Sequence, residues 1–139
     1  PVEQPAAVML YPLDEGARAV GAFQYLGGGA FLAVERDGEQ GSNARIKRIY
    51  RVQQGVVDEQ GLLRKELLVD LLNISDPENL SGASVNGRYA FAYQTIESLL
   101  VLDGDRLGVL NDNNFPFGNG PDGEDAEDTV FAIIRVPGL

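Results

Sequence analysis

Apolar residues recur along the chain in short runs, alternating with polar ones or standing in compact blocks. These runs are Val8–Leu13, Val20–Leu26, Phe31–Glu35, Ile46–Val52, Arg88–Tyr93, Ile96–Leu102, Leu107–Asn111 and Val130–Val136. Each is strand-sized and rich in Val, Ile, Leu, Phe or Tyr, the side chains that fit a pleated, half-buried surface. Between them stand Asp-Gly at 37–38, 103–104 and 122–123, Asn-Gly at 86–87, and Gly27-Gly28-Gly29, which mark tight turns. The pattern predicts an all-β protein of short antiparallel strands. One stretch dissents: Leu62, Leu63, Glu66, Leu67, Asp70 and Leu71 follow a helical spacing. Gly61 at its start argues against a helix, and the repeat described next calls for a strand near Lys65–Leu71, so strand is preferred there.

Sliding the chain along itself by about 76 positions lays Arg18–Asp37 on Gln94–Asn113 without a gap. Val20 then meets Ile96, Phe23 meets Leu99, Leu26 meets Leu102, Gly28 meets Gly104, Phe31 meets Leu107, Val34 meets Leu110, and Asp37 meets Asn113. After a loop of different length, Arg45–Val52 matches Val130–Val136, both containing Arg-Val near the end. Each unit reads strand, glycine turn, strand, polar loop, strand. Such units are stabilised by stacking on one another, and radial stacking of four-stranded antiparallel units gives a β-propeller. The expectation is therefore a partial propeller domain over residues 1–139. It has a first blade at about 14–72, a second at about 84–136, and residues 1–13 as the outer strand of a preceding blade. Two blades leave apolar faces open, so the expected partners are further blades from additional sequence, a second chain or self-association. A two-sheet sandwich is the alternative.

Composition narrows the chemistry. The 139 residues include no Cys, His or Trp, and 21 Asp and Glu stand against 11 Lys and Arg, for a formal net charge of −10. Disulfides, thiolate metal sites, a thiol nucleophile and a Ser-His-Asp triad are excluded. What remains are carboxylates, amides and arginine, which suit hard cations such as calcium or magnesium and pair with phosphate. The acidic balance argues against nucleic acid, whose binding depends on Lys and Arg neutralising phosphates. No apolar run approaches the roughly 18 residues of a spanning helix, so membrane insertion by a helix is not expected.

Oxygen donors crowd at the predicted strand ends. Asn111, Asp112 and Asn113, with Asn114, follow one strand, and Glu35-Arg36-Asp37 holds the equivalent place in the first unit. Glu97 sits among apolar neighbours in a predicted innermost strand, where a carboxylate is costly unless paired or metal-bound. These make Glu97, Asp112, Asn111, Asn113, Glu35 and Asp37 the candidate ligands of a hard cation. The plainer alternatives are an arginine partner for Glu97 and Asx turns at 111–114. Asp122, Glu124, Asp125, Glu127 and Asp128 do not follow the EF-hand spacing and read as a solvated, mobile loop. Arg45, Lys47, Arg48 and Arg51 concentrate cations in one strand; with Arg36, Arg45 and Arg48 are candidate phosphate-binding residues. The alternative reading is an outward strand whose charges guard against edge pairing. Asn73-Ile74-Ser75 and Asn79-Leu80-Ser81 match the glycosylation sequon, a short and weak pattern.

Several of these motifs occur in order: Val34-Glu35-Arg36-Asp37-Gly38, Gly41-Ser42-Asn43-Ala44-Arg45-Ile46, Thr95-Ile96-Glu97 and Asn111-Asp112-Asn113-Asn114-Phe115-Pro116. With the repeat, they make the chain resemble the later portion of the phytase-like propeller domain known as "esterase-like activity of phytase", from about Tyr11 to Arg135. The resemblance implies a β-propeller, generally bacterial and exported to the periplasm or beyond, associated with calcium-dependent phosphate-ester hydrolysis. It carries Glu97 and Asp112 over as central site residues and assigns no catalytic residue. The resulting expectation is a metal-assisted phosphoesterase. The alternatives are a non-catalytic propeller that binds a ligand or partner, and a structural subunit of an assembly.

Overall fold

The computed structural model describes residues 7–121, 123 and 128–139. Asp122, Glu124, Asp125 and Glu127 of the acidic segment lie outside the described residues, as do residues 1–6. The described chain is all-β. Strands β1 (Ala19–Gly27), β2 (Ala30–Arg36), β3 (Lys47–Val57) and β4 (Leu63–Asp70) form a four-stranded antiparallel sheet in chain order. A small hairpin of β5 (Ile74–Ser75) and β6 (Arg88–Tyr89) follows. Then β7 (Thr95–Asp103), β8 (Arg106–Asp112) and β9 (Phe131–Arg135) make a three-stranded antiparallel sheet. The stretch with helical spacing is strand β4, because its backbone pairs with β3 and Leu68, Val69 and, just beyond it, Leu71 pack against the core between the sheets, while Leu67 stays exposed.

The two larger sheets pair in the same register. Ala19 faces Arg36 and Phe31 faces Tyr25 in the first; Thr95 faces Asp112 and Leu107 faces Val101 at the corresponding places in the second. Both inner strands break register at equivalent points, between Val20 and Ala22 and between Ile96 and Ser98. These bulges fall on Gly21 and Glu97. The third strands correspond differently from the sequence match. Val52 pairs with Phe31 and Ile134 with Leu107, so Ile134, not Val136, holds the place of Val52. A two-residue slip keeps every side chain on its own face, and alternation alone cannot detect it.

Two predicted strands shorten. Across Val8–Leu13 only Leu10 finds a backbone partner, a parallel bridge to Leu62, because the segment turns across the sheet toward Asp14. Of Arg88–Tyr93 only the first two residues pair, with Ile74–Ser75; Phe91 instead buries its ring in the core.

The core lies between the sheets. Leu32, Val34 and Ile49 from one face of the first meet Ile96, Leu99, Leu107, Val109 and Ile134 from the second, and burying each such side chain contributes roughly 1.5–3 kcal/mol. The closest approach is at Gly21: a Cβ there would stand 2.0 Å from the Ile96 carbonyl oxygen. Only glycine lets the inner strands β1 and β7 come this near.

Candidate functional site

The nine residues nominated from sequence gather at one end of the two sheets. Glu35 and Arg36 close β2, Asp37 begins the loop to β3, and Arg45 and Arg48 flank the start of β3. Glu97 lies near the start of β7, Asn111 and Asp112 close β8, and Asn113 follows. Polar contacts stitch this end together: Gln94 Nε2 donates to the Gly38 carbonyl at 3.2 Å, Gln40 Nε2 to the Gly120 carbonyl at 3.0 Å, and the Gly41 amide to the Ala92 carbonyl at 2.8 Å.

Three of the nine are buried and serve the fold. Asp37 accepts from the amides of Arg45 (2.6 Å) and Ile46 (2.9 Å) and from Lys47 Nζ at 2.7 Å. Burial opposes its charge, yet these donors outweigh burial and hold its carboxyl below the usual range. Lys47 is itself fully buried and reaches the carbonyls of Glu39 (2.8 Å) and Gln94 (3.3 Å), so it ties the β2–β3 loop to the start of β7; desolvation pushes its ammonium down. Asn111 accepts from the Val130 amide at 2.6 Å and donates to the Asp128 carbonyl at 2.9 Å, clasping the approach to β9. Glu35, fully buried at the corresponding place in the first sheet, instead takes charged partners.

The others face outward or pair across the junction. Glu97 is not enclosed by its apolar neighbours: its side chain is 48% exposed, with Oε1 3.5 Å from Arg36 Nη2. The β7 bulge explains this, since a bulged residue leaves the ladder and re-aims its side chain. Asp112 is exposed and accepts from the Asn114 amide at 3.1 Å, while Asn113 Oδ1 accepts from the Phe115 amide at 3.1 Å. These are Asx turns. Arg45 donates to the Ser42 and Ala44 carbonyls, and Arg48 pairs with Asp14 at 2.7 Å.

Asp14 belongs to a network that no local pattern announces. Lys65 Nζ lies 2.6 Å from Glu35 Oε1 and 2.7 Å from Asp14 Oδ1, and sits 4.4 Å from the centre of the Tyr50 ring and 5.3 Å from that of Tyr11. The Tyr50 hydroxyl donates to Asp14 Oδ2, and the Asp14 amide donates to Glu35. Burial first, then the bond to Asp14, raises the Tyr50 hydroxyl to about 12; burial and the Glu35 charge push Tyr11 up as well. One signal was available in the sequence: Glu35, like Glu97, is a carboxylate following apolar neighbours in a strand. Lys65 and Asp14 carry no such signal, because only strand register brings them to Glu35.

This network makes stability depend on acid. Burial opposes the Asp14 charge, but Lys65, Tyr50 and Arg48 more than compensate, lowering its carboxyl to about 2. A depressed carboxyl contributes stability that is complete above the unfolded value of roughly 3.9 and is lost as pH falls through the folded value. Thermal unfolding should therefore fall between about pH 4 and pH 2, and the fall should be smaller in Asp14→Asn, a less stable protein at neutral pH. Equal slopes in the two proteins would refute the assignment.

Among the described residues, no group of three His, Cys, Asp or Glu side chains is arranged to hold a metal ion. A groove of about 660 Å³ lies between the β5–β6 hairpin and β9, and none of the nine residues lines it. A family model, phytase-like and described as "Esterase-like activity of phytase", matches residues 1–115. The match thus takes in the first sheet, the hairpin, β7, β8 and the Asn-Asp-Asn-Asn turn, and stops before β9. No curated protein and no solved structure matches the chain.

Proposed function

The chain belongs to the phytase-like family, and from that premise we propose that it hydrolyses phosphoric esters at the shared end of its two main sheets. The observation that carries this reading is the Arg36–Glu97 pair. A guanidinium that matches phosphate geometry and a half-exposed carboxylate are held 3.5 Å apart where the sheets meet. In this reading Arg36 binds the non-bridging phosphoryl oxygens, which an acidic chain needs in order to admit an anion. A water oxygen bonds to phosphorus and its proton passes to Glu97; the ester P–O bond breaks, and the leaving oxygen takes a proton from solvent. Asp112, exposed beside its Asx turn, borders the same end.

Calcium enters the proposal only as a cation drawn to Glu97 and Asp112. A hard cation takes six to eight oxygens, roughly, and the described side chains do not close such a set. They do not fit a self-contained site, and no step is assigned to the metal. Release of phosphate from an aryl phosphate and from phytate, with calcium and with chelator, tests the reading. Glu97→Gln should lower turnover about 100-fold at unchanged thermal stability, because its side chain is half exposed. No release under either condition, or release indifferent to Glu97→Gln, would reject it. Chelation that shifts unfolding without any turnover would favour the non-catalytic binding reading instead.

A further inference from the structure

The turn after β8 is firmly tied, yet it holds two aromatic rings in solvent. The Asn114 carbonyl accepts from the amides of Phe117 and Gly118, both at 2.9 Å, and Asn114 Oδ1 accepts from Thr95 Oγ1 at 2.8 Å. With the Asx turns at Asp112 and Asn113, these bonds fix the turn to the start of β7. Phe115 and Phe117 nevertheless stand 82% and 90% exposed. Each ring forgoes the roughly 1.5–3 kcal/mol that burial would release, so whatever covers it gains that contact. Thr95 is two strand residues, about 7 Å, from Glu97. The turn therefore borders the Arg36–Glu97 pair at the end of the sheets and belongs to neither sheet face. The family match ends at residue 115, so Phe117 lies beyond the matched part.

The same end has few cations left for phosphate. Lys47 is buried against Asp37, Arg45 donates to the Ser42 and Ala44 carbonyls, and Arg48 pairs with Asp14. That leaves Arg36 and Arg18, whose amide bonds the Arg36 carbonyl at 2.8 Å and whose side chain rests on Gly38. Two guanidiniums can hold one phosphoryl group. They leave the further phosphates of a polyphosphorylated polyol facing a chain of net charge −10. Resting on the phosphoesterase reading above, we propose that the substrates carry a single phosphate on an apolar or aromatic alcohol, with Phe115 and Phe117 covering the alcohol part. The bond changes are those of that reading: the water oxygen joins phosphorus, the ester P–O bond breaks, and the protonated apolar alcohol leaves alongside inorganic phosphate. Removing the alcohol part from water supplies affinity that charge alone denies an acidic chain and an anionic ester.

Cyclohexyl phosphate and inositol monophosphate share a carbon ring of one size and differ in its hydroxyls, so comparing them isolates the alcohol part. Phenyl phosphate and phytate complete the set. The expected kcat/KM is at least about 10-fold higher for cyclohexyl phosphate than for inositol monophosphate, with phytate poorer still. Phe115→Ser combined with Phe117→Ser should erase that preference by raising KM for cyclohexyl phosphate about 10-fold, since the rings touch the part of the substrate that does not react. Leu80→Ser, at an equally open apolar position between β5 and β6, should leave the preference intact. Circular dichroism verifies that both variants stay folded. If esters are hydrolysed but inositol monophosphate or phytate is preferred, or if the preference survives loss of both rings, this inference falls and the phosphoesterase reading stands. Release from none of the four esters rejects both.

Discussion

Replacing Lys65 by methionine is expected to destabilise the protein by about 3–5 kcal/mol, read from the urea midpoint at neutral pH. The reason is what remains. Asp14 keeps Arg48 and Tyr50, but Glu35, fully buried, loses the ammonium that lies 2.6 Å from Oε1 and is left with the Asp14 amide as its donor. A buried carboxylate without a cation is far costlier than the pair it came from is stabilising. Glu35→Gln combined with Lys65→Met should be closer to the unsubstituted protein than the single change, because the uncompensated charge is gone. A deficit below about 1 kcal/mol would show that the network is too well hydrated to act this way.

The same network shows where sequence reasoning reaches and where it stops. Alternation identified β1, β2, β3, β7, β8 and β9, because one face of each strand is buried against the other sheet and period-two patterning records that directly. The repeat extended this to β4, where local propensity favoured a helix and tertiary pairing prevailed. Strand ends were less legible. Val8–Leu13 looks like a strand, yet Val8 and Leu10 remain exposed and only one bridge forms, since no edge runs alongside the rest of the segment. The site divided along a similar line. Local chemistry nominated residues that the structure gathers at one end of the sheets and offered both readings of the Asn-Asp-Asn-Asn run, whose amides are caught in Asx turns. It could not see that Asp37 and Asn111 are consumed by backbone amides, nor that a bulge turns Glu97 outward to Arg36. Those outcomes depend on register and on partners distant in sequence.

The Gly21→Ala substitution should reveal how tightly that junction is built. Gly21 does not occupy a left-handed conformation, so alanine brings no backbone strain of its own. The obstacle is spatial. The new methyl would lie 2.0 Å from the Ile96 carbonyl oxygen and 3.2 Å from Arg36 Nε, and because the nearer atom is backbone, no side-chain rotation relieves the clash. Strands β1 and β7 must move apart, opening the core in which Ile96 and Leu99 meet Val34 and Leu32. A cost of roughly 3 kcal/mol or more is expected, at the upper end of overpacking effects. Gly38→Ala is the control: its methyl would meet only the Arg18 side chain, at 3.4 Å, so its effect should stay within about 0.5 kcal/mol. The displacement also spreads Arg36 from Glu97, already 3.5 Å apart. If that pair works on phosphoric esters, Gly21→Ala should therefore lower turnover even at temperatures where the variant is fully folded. Equal stabilities for the two alanine variants would mean that β1 and β7 do not approach this closely, and the junction would lose its claim as the place where the two sheets build one site.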